Sequence, residues 1–318
     1  MTEVSYAKGL QEVGDGLYAY LQPDGGWGWS NAGLVVDGEC ALLIDTLFDL
    51  RLTEEMLRAM RRAVPAAARI DTLVNTHANG DHCYGNELVG DALIVASERT
   101  AQEMTELPPA AMAALIEQAP QLGELGEFFL RCFGAFEFDG IELTLPRETF
   151  SGELTLNVGD RVLQLSEVGP AHTRGDTIVY APKERVLFTG DILFSGAHPI
   201  AWAGPVSNWI AACDRIIALD PQTIVPGHGP PSTTDAVREL KACFEYLYEQ
   251  ARIAHGEGID ALQAARSLPL ERWAPWGERE RLIVNIANIY HELDGEQQAL
   301  NPLEAFQQMA ALAGSDSA

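Results

Sequence analysis

Thr76-His77-Ala78-Asn79-Gly80-Asp81-His82 follows directly on the run Ile70 to Val74, which reads as a buried strand. Three metal-capable side chains therefore leave one rigid strand end together. Imidazole nitrogen mixed with carboxylate oxygen is the donor set that zinc or iron accepts. The same event recurs along the chain: Val162 to Val168 leads to His172, Arg185 to Phe188 leads to Asp191, and Thr223 to Val225 leads to His228. Four strand ends each offer ligands, a pattern that polar turns without a metal do not explain.

The ordered set resembles the metallo-β-lactamase-fold hydrolases, whose signature is His-x-His-x-Asp-His, then a His, an Asp and a His on successive later loops. The matching pieces are Thr76 to His82, Gly169-Pro170-Ala171-His172-Thr173-Arg174-Gly175-Asp176, Phe188-Thr189-Gly190-Asp191 and Pro226-Gly227-His228-Gly229. Asp45, in Leu43-Ile44-Asp45-Thr46, fits the acidic residue that the family places at an earlier strand end. Together these pieces are far more specific than any single short motif. The resemblance implies an α/β fold, a four-layer αββα sandwich with its ligands along one edge.

It also implies the division of labour. His77, the residue at 79 and His172 would hold one metal, Asp81, His82 and His228 the second, with Asp191 bridging. Cations so placed lower the pKa of a bound water and supply hydroxide as the nucleophile. Asp81 would orient it and carry its proton to the leaving group, and Asp45 would fix a ligand imidazole from behind. One position departs from the family: Asn79 stands where the second His belongs. A neutral amide is a poorer ligand than imidazole, so the expectation is one tightly held ion at Asp81, His82, Asp191 and His228 and a weak first site. Asn79 is then free to hydrogen-bond substrate or water, and His198, in Gly196-Ala197-His198-Pro199, is a substitute ligand, a substrate-facing residue or a structural loop residue. Zinc is expected, as one or two ions, with iron or manganese as alternatives.

Composition narrows the partners. The 318 residues are 47% hydrophobic and 21% charged, ordinary for a globular enzyme and against disorder. With 21 basic against 46 acidic side chains, the net charge of −25 opposes attraction to phosphate backbones, which makes nuclease relatives of the fold poor analogies. A small-molecule substrate, no nucleic acid and no membrane are expected. The start Met1 to Tyr6 shows no secretory pattern, and five scattered cysteines do not describe a disulfide framework, so the expected location is the cytoplasm.

Along the chain, Leu17–Leu21 and Ala32–Val36 read as a hairpin joined by Gly25-Gly26-Trp27-Gly28-Trp29. Its two Trp rings would wall the site, with Trp202 a similar candidate. Thr53 reads as a helix start, and residues 108–138 as a longer helical insertion whose late part is rich in Phe. The catalytic domain is expected over 1–231. Residues 232–318 read as a helical extension with apolar stripes that pack as a subdomain or form a homodimer contact, ending in a disordered tail from Gly314. The functional expectation is a metal-dependent hydrolase of a small-molecule ester, thioester or amide, thioesterase-like and suited to secondary metabolism. The alternatives are a metal-dependent lyase or cyclase in natural-product metabolism, or a mononuclear iron oxygenase.

Overall fold

A computed structural model describes residues 5–295 and 301–315 of the chain. Strands β1 (Gly9–Gly14), β2 (Leu17–Leu21), β3 (Ala32–Asp37) and β4 (Cys40–Ile44) form an antiparallel meander. Helix α1 (Leu50–Ala63) crosses to β5 (Thr72–Val74), which lies parallel to β4. Helix α2 (Gly80–Cys83), β6 (Leu93–Ser97), and helices α3 (Glu98–Glu103), α4 (Pro109–Gln118) and α5 (Glu124–Phe133) lead to β7 (Glu148–Phe150). The result is a seven-stranded sheet in the order β1-β2-β3-β4-β5-β6-β7. Strands β8 (Glu153–Val158), β9 (Arg161–Glu167), β10 (Thr177–Ala181) and β11 (Val186–Phe194), then helix α6 (Val206–Leu219) and β12 (Thr223–His228), make a second sheet in the order β12-β11-β10-β9-β8. Helices α7 (Thr234–Gly256), α8 (Ala261–Ser267), α9 (Leu282–Asp294) and α10 (Pro302–Ser315) follow.

The period of two along each strand explains the layers. On β2, Leu17, Ala19 and Leu21 enter one apolar cluster with Leu163 and Leu165 of β9 and Val179 of β10, while Tyr20 joins a second cluster with Met56 and Met60 of α1. On β4, Leu42 and Ile44 take the first side and Leu43 the second. Each sheet therefore has an inner face against the other and an outer face under helices, which is the αββα sandwich. The carboxyl ends of β4, β5 and β12, with the distal half of β11, meet at one edge, where loops can present chemistry from a rigid support.

Local chemistry moved some boundaries. Helix α1 begins at Leu50, not Thr53, because the Asp49 carboxylate accepts the Leu52 N–H at 2.6 Å. The Thr53 hydroxyl turns back instead to accept the Leu47 N–H at 3.1 Å. The segment 108–138 is two helices rather than one. Pro120 lies in a 3-10 turn between them, and Gly123 before α5 takes a φ of +58°, which favours glycine. Strands β1 and β7 carry too little apolar alternation to be read in advance.

The helices after residue 231 share the body's core. Leu240, Phe244 and Leu247 of α7 and Ile283 and Ile286 of α9 lie in one cluster with Val206 and Trp209 of α6, and Phe306 of α10 packs on Phe129 of α5 at 5.8 Å between ring centroids. Their stripes thus find cover within the chain. Gly314 and Ser315 belong to α10, and the rest of the tail expected to be disordered lies outside the described residues. No described helix is long and apolar enough to cross a membrane.

Asp49 also accepts the Glu137 N–H at 3.3 Å, so it ties the helical insertion to α1. Asp49→Ala is expected to cost about 1–2 kcal/mol, the upper range for a lost N-cap, read as a lower midpoint in urea unfolding at unchanged m-value.

Candidate metal centre

The centre is built from ring tautomers upward. His82 Nδ1–H donates to the Asp45 carboxylate at 3.0 Å, and His77 Nδ1–H donates to the Thr76 hydroxyl at 2.9 Å. The same hydroxyl donates to Asp45 at 2.7 Å, and the Thr76 N–H donates to the other Asp45 oxygen at 2.7 Å. His172 Nδ1–H donates to the Ile200 carbonyl at 2.7 Å, and His228 Nδ1–H to the Gly25 carbonyl at 3.2 Å. With every Nδ1 engaged, the four Nε2 atoms converge on the Asp191 carboxylate: His82 at 3.1 Å, His172 at 3.3 Å, His228 at 3.4 Å and His77 at 3.8 Å. Asp81 adds an oxygen 3.2 Å from His228 Nε2.

Two overlapping ligand groups result, His77 with His82 and Asp191, and Asp81 with His82 and His228. His77 Nε2, His82 Nε2 and Asp191 Oδ1 are buried with no hydrogen-bond partner. A buried polar atom left so is costly unless something else satisfies it. A divalent cation among these nitrogens and oxygens would satisfy all three, so the donor set fits a metal.

The electrostatics agree. Burial alone raises a carboxyl, yet His82 and His228 around Asp81, and all four imidazoles around Asp191, hold both carboxyls below their usual range. Burial and the neighbouring His82 push His77 down, and burial pushes His172 down, leaving both neutral and able to donate to a metal. Burial opposes charge on His228, but Asp191 and Asp81 lift it to about 9. The centre attracts positive charge.

Close backbone approach makes this packing feasible. A Cβ on Gly227 would lie 1.9 Å from Asp191 Oδ1, so the strand that carries His228 passes Asp191 only as glycine. Gly190, at φ +50°, turns β11 beside Thr76 so that Asp191 faces the ligands. Asp45 is 2% exposed and lies behind His82, where it positions the ring and does not meet substrate.

Asn79 reaches His172 Nε2 with its amide nitrogen at 2.9 Å. It sits in a hydrogen bond with a candidate ligand atom, where a histidine would add a donor of its own. Asn79, Asp81, His172, Asp191 and His228 all line one cavity of about 1210 Å³. Trp27 and Trp202 also line it, with ring centroids 6.4 Å apart. Trp29 and His198 do not line this cavity, contrary to expectation. Trp29 packs on Phe136 at 4.9 Å, because Gly28 sits tight against Phe48 and Phe136 and sends the two Trp rings to different surroundings. His198 is 1% exposed, packs edge-on against Trp276 and stands outside both ligand groups, so it is no substitute ligand.

Sequence reasoning passed over several contributors. Asn31 clasps the His228 loop through Pro226 and Gly229 carbonyls at 3.0 and 2.8 Å. Asn285 and Asn288 on α9 hold residues 199–201, which carry the carbonyl that orients His172: Asn285 donates to Pro199 at 2.9 Å and accepts from the Ala201 N–H at 2.8 Å, and Asn288 donates to Ala201. Two amides three apart in the apolar run Leu282–Tyr290 were the available signal. Buried amides in such a helix need partners.

The family profile described as the metallo-beta-lactamase superfamily matches residues 25–228. Among curated relatives, the human acyl-coenzyme A thioesterase MBLAC2 is 27% identical over 76% of this chain and 86% of its own. The 2,4-dinitroanisole O-demethylase subunit alpha of Nocardioides sp. (strain JS1661) is 27% identical over 73% of this chain and 60% of its own. Among solved structures, the inverting sec-alkylsulfatase Pisa1 from Pseudomonas sp. superposes with a TM-score of 0.71 at 16% identity over 93% of this chain, which spans 53% of that one. A metallo-beta-lactamase from Pontibacter korlensis gives 0.56 at 20% identity over 74% of this chain and 98% of its own. The sulfatase likeness takes in most of the C-terminal helices as well as the sandwich.

Two outcomes are expected here. By elemental analysis after dialysis, the protein holds about one ion per chain, Asn79→His moves the count toward two, and Asp191→Ala retains essentially none, since each lost ligand lowers affinity severely. Two ions at full occupancy in the unaltered chain would overturn the reading of Asn79. Separately, burial, then Arg281 and Arg279, push His198 from 6.5 down to about 4. The folded state prefers the neutral ring, so its contribution is complete above pH 6.5 and is lost as pH falls through about 4. Against His198→Gln, the unaltered chain should lose on the order of 3 kcal/mol more stability across that window, measured by urea unfolding at each pH.

Proposed function

The chain belongs to the metallo-beta-lactamase superfamily of hydrolases, and from that membership we propose that it cleaves an ester, thioester or amide of a small organic molecule. The observation that carries the proposal is the unpartnered Nε2 and carboxylate set at the floor of a cavity of about 1210 Å³ walled by Trp27, Phe129, Phe133, Trp202 and Phe306. Asp81, His82, Asp191 and His228 would hold one divalent ion, zinc in our reading, with His77 and His172 at the weaker position. When bound, such an ion would supply Lewis acidity and lower the pKa of a water to about 7.

The remaining work falls to the chain. Asp81, on the cavity wall and held ionised, takes the proton of the attacking water and delivers it to the leaving group. Asn79 offers an amide N–H toward substrate once His172 engages elsewhere. The aromatic wall binds the substrate's apolar body and excludes bulk water, which strengthens every charge interaction inside. MBLAC2 is named an acyl-coenzyme A thioesterase, which favours a thioester. The O-demethylase relative adds an activated aryl ether to the bonds worth testing. The five cysteines are all free thiols, in keeping with a cytoplasmic location.

The test is a panel of acyl thioesters, aryl esters, anilides and aryl methyl ethers assayed with the metal-loaded chain. Turnover of at least one acyl class is expected, abolished by chelation and restored by added zinc. Asp81→Asn is expected to lower kcat by about 100-fold or more, in line with loss of a general base. Activity that survives complete metal removal would sink the proposal.

A further inference from the structure

Arg281 opens helix α9 and is 2% exposed, yet it lines the same cavity as Asp81 and Asp191. Its guanidinium lies 4.2 Å from the Trp27 ring centroid and 5.0 Å from that of Phe194. Phe194 in turn stacks on the ligand His228 at 5.3 Å between centroids. The cation is thus one aromatic ring away from the metal centre. These cation–π contacts hold the guanidinium in place and leave its N–H groups to make hydrogen bonds.

Those N–H groups are mostly unused. Nη1 donates to the His198 carbonyl at 3.0 Å, while Nε is buried and has no acceptor. Among the described residues no carboxylate lies within ion-pair distance of the guanidinium. Glu278 and Glu280 are neighbours in sequence but are engaged otherwise: Glu280 accepts the Trp27 indole N–H at 2.9 Å, and Glu278 feels Arg281 only at longer range. A buried charge without a paired counter-charge is expensive, and proteins keep one where something arrives to pair with it. The planar fork of a guanidinium matches the paired oxygens of a carboxylate or a tetrahedral oxyanion such as sulfate.

We propose that Arg281 is the anchor for an oxyanion carried by the substrate, a carboxylate or sulfate set apart from the bond that is cleaved, with the apolar remainder against Trp27, Trp202 and Phe306. This rests on the reading of the cavity as a substrate site and adds the substrate class: an anionic amphiphile. It gives the C-terminal helices a part in specificity, because Arg281 lies beyond the sandwich that carries the metal ligands. Trp27 then has two tasks, holding the guanidinium and meeting the apolar body beside it.

The experiment is calorimetric binding to the metal-loaded full chain, with hexanoate, hexyl sulfate and neutral hexanamide as probes. The unaltered protein should bind at least one anion about tenfold or more tightly than hexanamide, as expected for a charge-assisted pair in a dry site. Arg281→Met keeps apolar bulk between the rings and should bring anion affinity down to that of hexanamide, with hexanamide affinity and metal content unchanged. Arg281→Lys keeps the charge without the fork and should fall between. An anion bound equally well by Arg281→Met is held by the metal and overturns the proposal, as does a wild type with no anion preference. If Met at this position prevents folding, the Lys variant decides alone: wild-type affinity for both anions overturns the anchor. Anion binding through Arg281 without hydrolysis of any panel substrate would keep this inference and sink the hydrolase reading, and the reverse result would do the opposite.

Discussion

Three carboxylates, Asp45, Asp81 and Asp191, are buried together at the seam between two sheets, and the four imidazoles around them are what make that burial tolerable. The hydrogen bonds form a chain. Asp45 holds Thr76 and His82, Thr76 holds His77, and His82 and His77 face Asp191. Strands β4, β5, β11 and β12 must all end in register for this to close, so the site constrains the relative position of the two sheets as much as the apolar cores do. A one-residue slip in any of them would leave a buried charge without its partner, a penalty larger than most packing errors.

The C-terminal helices complete what the sandwich begins. Asn285 and Asn288 fix the 199–201 loop, whose Ile200 carbonyl sets the His172 tautomer, and Phe306 and Arg281 close the cavity above the ligands. A region with no metal-capable cluster among its described residues therefore sets the orientation of one candidate ligand and the chemistry of the wall. Its apolar stripes, which in isolation suggest a detachable subdomain or a contact between copies, are buried against α6 and α5. Shape and charge in the cavity are joint products of both parts of the chain.

The metal-capable residues and the layer order were legible in the sequence because each rests on a local rule. A strand followed by a metal-capable loop is visible within about ten residues, the span over which apolar period and turn chemistry act, and four such events in order leave little freedom for the fold. Trp27 and Trp202 were readable for the same reason, as rings on loops beside that chemistry. Trp29 and His198 were misplaced because direction depends on packing. Gly28 turns one indole toward the cavity and the next onto Phe136, and His198 is drawn under Trp276 by the backbone bonds of Ala197–His198 with Gly277. Arg281 carried no signal at all, since an arginine beside an apolar helix reads as a solvated end. The sequence alone determined which atoms can bind metal and that two sheets bring them together, because donor type and periodicity are properties of neighbours in the chain. Tertiary structure decided which side chains face the cavity, which nitrogen of each imidazole is free, and that a lone guanidinium lies one ring from His228, because orientation and burial arise only from contacts between residues far apart in sequence.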